Sequence, residues 1–135
     1  MKKTFYITTP IYYPSGKFHI GTSYTEVLAD TIKRYKQLRG YDVFMLTGTD
    51  EHGQKIQTVA EKTGKTPQEH VDEMAQMAKD LWAKMHIKYD YFIRTTDENH
   101  EKAVQKIFEY FLEKVFLYFS GIFLNCIGNF KIGIS

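Results

Sequence analysis

The sequence is poor in cysteine, proline and net charge, and each shortage narrows what the chain can be. Its 135 residues hold one cysteine, Cys126. The chain alone can therefore make neither an internal disulfide nor a multi-cysteine zinc site, and such usage fits a reducing compartment. Eighteen basic residues stand against sixteen acidic ones, a formal net charge of +2. That is too little for the field of a general nucleic-acid binder. Met1-Lys2-Lys3 begins as a signal peptide does, but Pro10 and Pro14 interrupt the apolar stretch after it and no small-residue cleavage site appears. Secretion is not expected. Residues 115–130 carry no charge, yet the run is short for a membrane span and holds Ser120, Gly121, Asn125, Gly128 and Asn129. No membrane association is expected.

What is present suits one α/β domain. Apolar residues make up 43% of the chain and aromatics 16%, enough for a core at this length. Thr4 to Thr9 has strand composition, and Pro10, Pro14 and Ser15-Gly16 make a loop after it. From about Ser23 to Arg39 the period is helical: Tyr24, Leu28, Ile32, Tyr35 and Leu38 trace one stripe, Ser23 and Glu26 have capping-box spacing, and Gly40 is placed to close the helix. Val43 to Leu46 reads as a strand buried on both faces. A short helix spans Gly53 to Lys62 and ends at Gly64. Thr66-Pro67-Gln68-Glu69 is a strong helix start, followed by Val71, Met74, Ala78, Leu81, Trp82 and Met85 at helical spacing. Tyr89 to Arg94 reads as a third strand, and Asp97 as the cap of a last helix. Strands alternating with helices predict a parallel sheet with helices on both faces. After Lys114 the composition turns to Phe, Ile, Leu, Gly and Asn, with Lys131 the only charge. Residues 1–114 therefore read as one domain, and residues 115–135 as an atypical apolar tail.

Two polar stretches each follow an apolar run, where open α/β sheets bind ligands. In the first, His19-Ile20-Gly21 precedes a helix N-terminus, whose free N–H groups and dipole attract phosphates. An imidazole there can donate to a phosphate oxygen, and Gly21 lets a ligand lie against the backbone. The same tripeptide also fits an ordinary strand-to-helix turn with a surface histidine. In the second, Asp50-Glu51-His52 follows a buried strand, and one of its carboxylates can hold an ammonium group. Helix capping by Asp50 and a solvated loop are the alternatives. Adjacent loop residues rarely converge on one metal ion, so no metal site is expected. Lys33, Arg34, Lys36 and Arg39 crowd a helix end, where the dipole favours cations; they read as a solvated face, with a phosphate-backbone patch as the alternative. His70, His86 and His100 show no evident partner in the sequence.

Several of these runs, in this order, resemble the methionyl-tRNA synthetases. They are Tyr6-Ile7-Thr8-Thr9-Pro10-Ile11-Tyr12-Tyr13 with Pro14-Ser15-Gly16, His19-Ile20-Gly21, Arg34-Tyr35-Lys36, Arg39-Gly40-Tyr41-Asp42-Val43, Leu46-Thr47-Gly48-Thr49-Asp50-Glu51-His52-Gly53-Gln54-Lys55-Ile56 and Phe92-Ile93-Arg94-Thr95-Thr96-Asp97. The resemblance spans roughly Lys3 to Lys114. It implies an N-terminal part of a class I catalytic domain, a partial Rossmann-type sheet. It also implies methionine–tRNA ligase activity in the cytoplasm: L-methionine is activated with ATP (and Mg2+) to methionyl adenylate and passed to tRNA(Met). By the same resemblance His19, Gly21 and Thr22 would bind ATP, with His19 and Thr22 catalytic. Ile11 and Tyr13 would line the methionine pocket, and Asp50 would receive the α-ammonium.

Thr22 stands where the class signature usually ends in a second histidine. A hydroxyl can hydrogen-bond a phosphate but cannot carry its countercharge. The family's Lys-Met-Ser-Lys-Ser loop does not occur in these residues, and a frameshift or truncation would explain the change after Lys114. The second reading is therefore a non-catalytic truncated fragment with at most weak nucleotide or methionine binding.

Overall fold

The computed structural model of the chain describes residues 2–114. The chain divides into two compact units, Met1–His100 and Glu101–Ser135. In the first unit the order is β1 (Thr4–Thr8), α1 (Ile20–Leu38), β2 (Asp42–Thr49), α2 (Gln54–Lys62), α3 (Pro67–Lys84) and β3 (Tyr91–Arg94). A last helix, α4 (Glu98–Lys114), runs across the division. The expected apolar tail, residues 115–135, lies outside the described residues.

The three strands form one parallel sheet in the order β1-β2-β3, the α/β class expected. Thr4 pairs with Asp42 and Thr8 with Leu46, while Leu46 pairs with Tyr91 and Thr49 with Arg94. Gly48 sits where β2 meets β3 so closely that a Cβ would collide with the Ile93 carbonyl. Alternation along β2 puts Val43, Met45, Thr47 and Thr49 on a buried face. Met45 joins Ala29 of α1, Ala75, Ala78 and Trp82 of α3, and Ile87 and Phe92 in one cluster. The α3 stripe read from the sequence is this buried surface. The Thr66 capping box forms, with Thr66 N–H donating to the Glu69 carboxylate (2.8 Å) and Glu69 N–H to Thr66 Oγ1 (3.2 Å). Gly40 and Gly64, both at positive φ, close α1 and α2 as expected.

Three local readings change. α1 begins three residues before Ser23, capped by the His19 side chain, so Ser23 and Glu26 form no capping box. Glu26 instead points inward and bonds to Thr47 of β2. The apolar stripe of α1 is also not its buried face. Thr22, Glu26, Ala29, Asp30 and Lys33 are buried, while Tyr24 is 68% and Leu38 87% exposed. β2 is buried on one face only, because Phe44 stacks with Tyr6 (centroids 6.0 Å apart) on a sheet face left exposed at both rings.

Trp82 is fully buried and packs edge-on against Tyr12 (5.9 Å) and tilted against Phe18 (6.1 Å). Trp82→Ala is expected to cost about 3–5 kcal/mol, whereas Leu38→Ser should change stability by no more than about 0.5 kcal/mol. Urea denaturation of the two variants checks this. Equal effects would mean that the core lies elsewhere.

Candidate active site

Ile11, Tyr13 and Asp50 lie at the carboxyl end of β2. The loop that leaves β1 does not turn away at once. Thr9 N–H donates to Leu46 O (3.1 Å), Tyr12 N–H to Gly48 O (3.0 Å), and Asp50 N–H to Tyr12 O (2.9 Å). Tyr12 thus pairs with Thr49 as an added parallel bridge. Residues 9–12 extend β1 past its nominal end and carry Ile11 and Tyr13 to either side of Tyr12, next to Asp50. Ile11 and Tyr13 are both exposed, so their apolar surface is available to a ligand. The Tyr13 ring lies over Gly53, where φ is +135° and a Cβ would strike its hydroxyl. Gly53 is the residue from which α2 starts.

At the start of α1, His19 caps the helix with its own ring: Gly21 N–H donates to Nδ1 (3.0 Å). Thr22 N–H and Ser23 N–H both donate to the His19 carbonyl, at 3.0 and 3.2 Å. A Cβ at Gly21 would meet the imidazole Cε1 at 2.8 Å, so the glycine is what lets the ring fold over the backbone. With Nδ1 accepting, a neutral ring carries its proton on Nε2, and the exposed ring can donate that proton outward. An anion reaching this terminus can also take the Gly21 N–H from the imidazole. Thr22 lies on the buried side of α1.

Tyr12 links the two halves. Its hydroxyl is 2.7 Å from Thr25 Oγ1, and Thr25 Oγ1 donates to the Thr22 carbonyl (2.9 Å). The single Thr25 proton being used there, Tyr12 is the donor. Burial pushes the Tyr12 phenol up to about 12, so it stays protonated at physiological pH. Beneath it, Glu26 is fully buried. Its Oε1 is in reach of Thr47 Oγ1 and of Thr9 Oγ1 (3.2 Å), and its Oε2 has no partner. Burial, more than any charge, raises the Glu26 carboxyl.

The motif by itself left open which carboxylate, Asp50 or Glu51, holds an ammonium group, and only the family resemblance named Asp50. Their surroundings separate them. Glu51 is buried and fully engaged: Arg94 Nε donates to both its oxygens (2.8 and 3.0 Å), Thr49 Oγ1 and Thr96 Oγ1 donate at 2.5 Å each, and its N–H donates to Thr95 Oγ1 (2.8 Å). Arg94 reaches on to Asp72 (2.6 Å). These bonds, that to Glu51 foremost, hold the guanidinium pKa above its ordinary value and the Asp72 carboxyl below its own. Among the described residues the Asp50 carboxylate has no hydrogen-bond or ion-pair partner, so it is the acceptor left open.

Other residues take structural places. His70 Nε2 bonds to the Pro14 carbonyl (2.9 Å), anchoring the loop after β1 to α3, and His52 Nε2 to Thr95 O (3.1 Å). Lys33, expected on a solvated face, is 4% exposed and paired with Asp90 (2.6 Å). A cavity of about 740 Å³ beside this pair is also lined by Asp30, Arg34, Lys79 and Lys88, and none of the site residues read from the sequence borders it. Among the described residues no cluster of three His, Cys, Asp or Glu side chains is placed to hold a metal ion. No helix there is long and apolar enough to cross a membrane. Sequence reading missed Tyr12, Thr25, Thr47 and Arg94. Only the packing of loop, strands and α1 reveals them, although Tyr12, Thr47 and Arg94 stood inside the quoted motifs.

A family model described as tRNA synthetases class I (M) matches residues 5–124. The methionine–tRNA ligase of Clostridium acetobutylicum is 62% identical over 117 residues, 87% of this chain and 18% of that protein. That of Caldanaerobacter subterraneus subsp. tengcongensis is 66% identical over 108 residues, 80% of this chain and 17% of that protein. Among solved structures, Mycobacterium tuberculosis methionyl-tRNA synthetase in complex with methionyl-adenylate superposes with a TM-score of 0.73 at 39% identity. The match covers 76% of this chain and 20% of that one. The Agrobacterium radiobacter K84 LeuRS–tRNA–LeuAMS ternary complex gives 0.77 at 27% identity, over 84% and 15%. The chain thus spans about a fifth or less of the relatives it matches.

The different burdens on the two acids give a test. Glu51→Ala would leave the Arg94 guanidinium without its buried partner and should cost about 3 kcal/mol. Asp50→Ala removes no partner and should cost at most about 0.5 kcal/mol. Denaturant melts measure both. A large loss for Asp50→Ala would make its carboxylate a structural group.

Proposed function

The chain belongs to the class I tRNA synthetase family of the methionyl type, and from that membership we propose that it forms part of the catalytic domain of a methionine–tRNA ligase. The proposed reaction activates L-methionine with ATP to methionyl adenylate and transfers the methionyl group to tRNA(Met). The observation that carries the reading is the open carboxylate of Asp50, whose N–H bonds to the carbonyl of Tyr12, the residue between Ile11 and Tyr13 that also ties to a histidine-capped helix through Thr25. Methionine needs an acceptor for its ammonium group and an apolar wall for its thioether. Asp50 supplies the first, and Ile11 and Tyr13 the second.

ATP requires the complementary charge. In this reading the α1 terminus takes the phosphates, with Gly21 N–H and the His19 Nε2–H as donors. Thr22 contributes through its hydroxyl, since its N–H is already bonded to His19 O. As the methionine carboxylate attacks the α-phosphorus and pyrophosphate departs, charge grows on the phosphate oxygens. A donor fixed at a helix terminus stabilises that charge more than the ground state. Mg2+ is expected with the ATP phosphates as part of the substrate. The neighbour solved with methionyl-adenylate supports this choice of intermediate, and the cytoplasm is the expected compartment.

Methionine-dependent ATP–pyrophosphate exchange tests the proposal in a protein of the relatives' length carrying this sequence. Asp50→Ala should raise the methionine KM much more than the ATP KM, by a loss of about 1.5–3 kcal/mol for one charge-assisted hydrogen bond. His19→Ala should slow exchange with the methionine KM nearly unchanged. Equal losses for both substrates in Asp50→Ala would remove the ammonium assignment, and unchanged rates in His19→Ala would remove His19 from catalysis. Absence of any exchange in the unsubstituted protein would favour the non-catalytic reading.

A further inference from the structure

We propose that Glu26 is a positioning residue of the site: as a neutral acid it heads a relay of hydroxyls, from Thr47 to Thr9, that ends on the Pro10 carbonyl and braces, beside the backbone bonds to β2, the start of the loop bearing Ile11 and Tyr13. The value of that position to substrate rests on the methionine-site reading; the relay itself does not.

Hydroxyl bookkeeping carries the inference. Thr9 Oγ1 lies 2.8 Å from Thr47 Oγ1, 3.0 Å from the Pro10 carbonyl and 3.2 Å from Glu26 Oε1. It has one proton for three acceptors. Thr47 Oγ1, also with one proton, contacts both Thr9 and Glu26 Oε1. If Glu26 Oε1 carries a proton, every group donates once: Glu26 to Thr47, Thr47 to Thr9, Thr9 to Pro10 O. If Glu26 is ionised, the direction reverses. Thr47 donates to the carboxylate, Thr9 donates to Thr47 or Glu26, and the Pro10 carbonyl loses its donor. The proton on Glu26 therefore decides whether the Pro10 carbonyl has the Thr9 hydroxyl as its donor, while the backbone bonds of Thr9 and Tyr12 to β2 hold in either state.

The surroundings favour the protonated arrangement. Glu26 is 0% exposed and Oε2 has no partner, so burial penalises a carboxylate more than the hydroxyls of Thr47, Tyr12 and Thr9, which favour it, offset. The charged and titratable groups facing it are Asp30 one turn along α1, Tyr12 on the loop and Tyr89 before β3, and none is a cation. Lys33, on the same buried face of α1, is held by Asp90 and the Lys88 carbonyl (2.8 Å). The folded chain thus keeps a proton that the unfolded chain releases. This contribution to stability is complete below the ordinary glutamate pKa and is lost as pH rises through the raised value.

The test is an NMR titration of the chain, without substrate, from about pH 4 to about pH 9. It follows the Glu26 side-chain carboxyl and the backbone amides of Ile11, Tyr12 and Tyr13. Glu26 is expected to titrate above the usual carboxylate range, with the three amides moving at the same midpoint. Glu26→Gln, whose amide donates to Thr47 at any pH, should abolish that movement and hold the amides at their acid-form positions. Thr47→Val should leave a titrating Glu26 that the amides no longer follow. An ordinary Glu26 midpoint, amides indifferent to it, or a response that survives Glu26→Gln would overturn the proposal. Because no ligand is used, failure here is separate from failure of the methionine site.

Discussion

The backbone bridge between Tyr12 and Thr49 is the constraint on which the candidate site depends. Three main-chain bonds, from Thr9, Tyr12 and Asp50, lay the loop after β1 along the last residues of β2. Backbone pairing is directional and tolerates little slip. Ile11, Tyr13 and Asp50 are therefore brought together by strand geometry rather than by their own contacts. The Ile11 side chain is exposed, the Asp50 carboxylate has no hydrogen-bond or ion-pair partner among the described residues, and the Tyr13 ring covers Gly53. Both residues of the bridge are spent on structure: Tyr12 with its ring on Trp82 and its hydroxyl on Thr25 of α1, and Thr49 with its hydroxyl on Glu51.

Under this bridge the protein buries polar groups where an apolar core would serve stability better. Glu26, Thr47 and Thr9 form one seam, and Glu51, Thr49, Thr96 and Arg94 another. Each seam joins elements that carry site residues. The first ties α1 to the ends of β1 and β2, and the second ties the residue after Asp50 to the end of β3. Such networks are costly unless satisfied. The second is satisfied throughout. The first has one orphan oxygen, Glu26 Oε2, and is the place where protonation has something to decide.

Much of this was legible in the sequence, and what was not has physical reasons. The three strands, the Thr66 capping box and the glycine stops are local signals, read from a few adjacent residues. The α3 stripe is buried because its apolar face meets the sheet. α1 misled because amphipathicity identifies two faces without saying which one turns inward. Its inner face is polar, matched by Thr47 and Asp90 across the fold, and its apolar stripe lies outside. The capping box at Ser23 failed because an imidazole one turn earlier satisfied the helix terminus first. In the site, His19, Gly21, Ile11, Tyr13 and Asp50 could be named from motifs and family resemblance. The choice of Asp50 over Glu51 could not be read from spacing, since it follows from Arg94, which stands 43 residues away in the chain.

A crystal structure of the chain with a stable methionyl adenylate analogue tests the shared site most directly. The ligand ammonium should lie about 3 Å from the Asp50 carboxylate, with the thioether against Ile11 and Tyr13 and the phosphate at His19 and Gly21. An analogue bound in the cavity beside Lys33 and Asp90, or with its ammonium away from Asp50, would contradict the assignment.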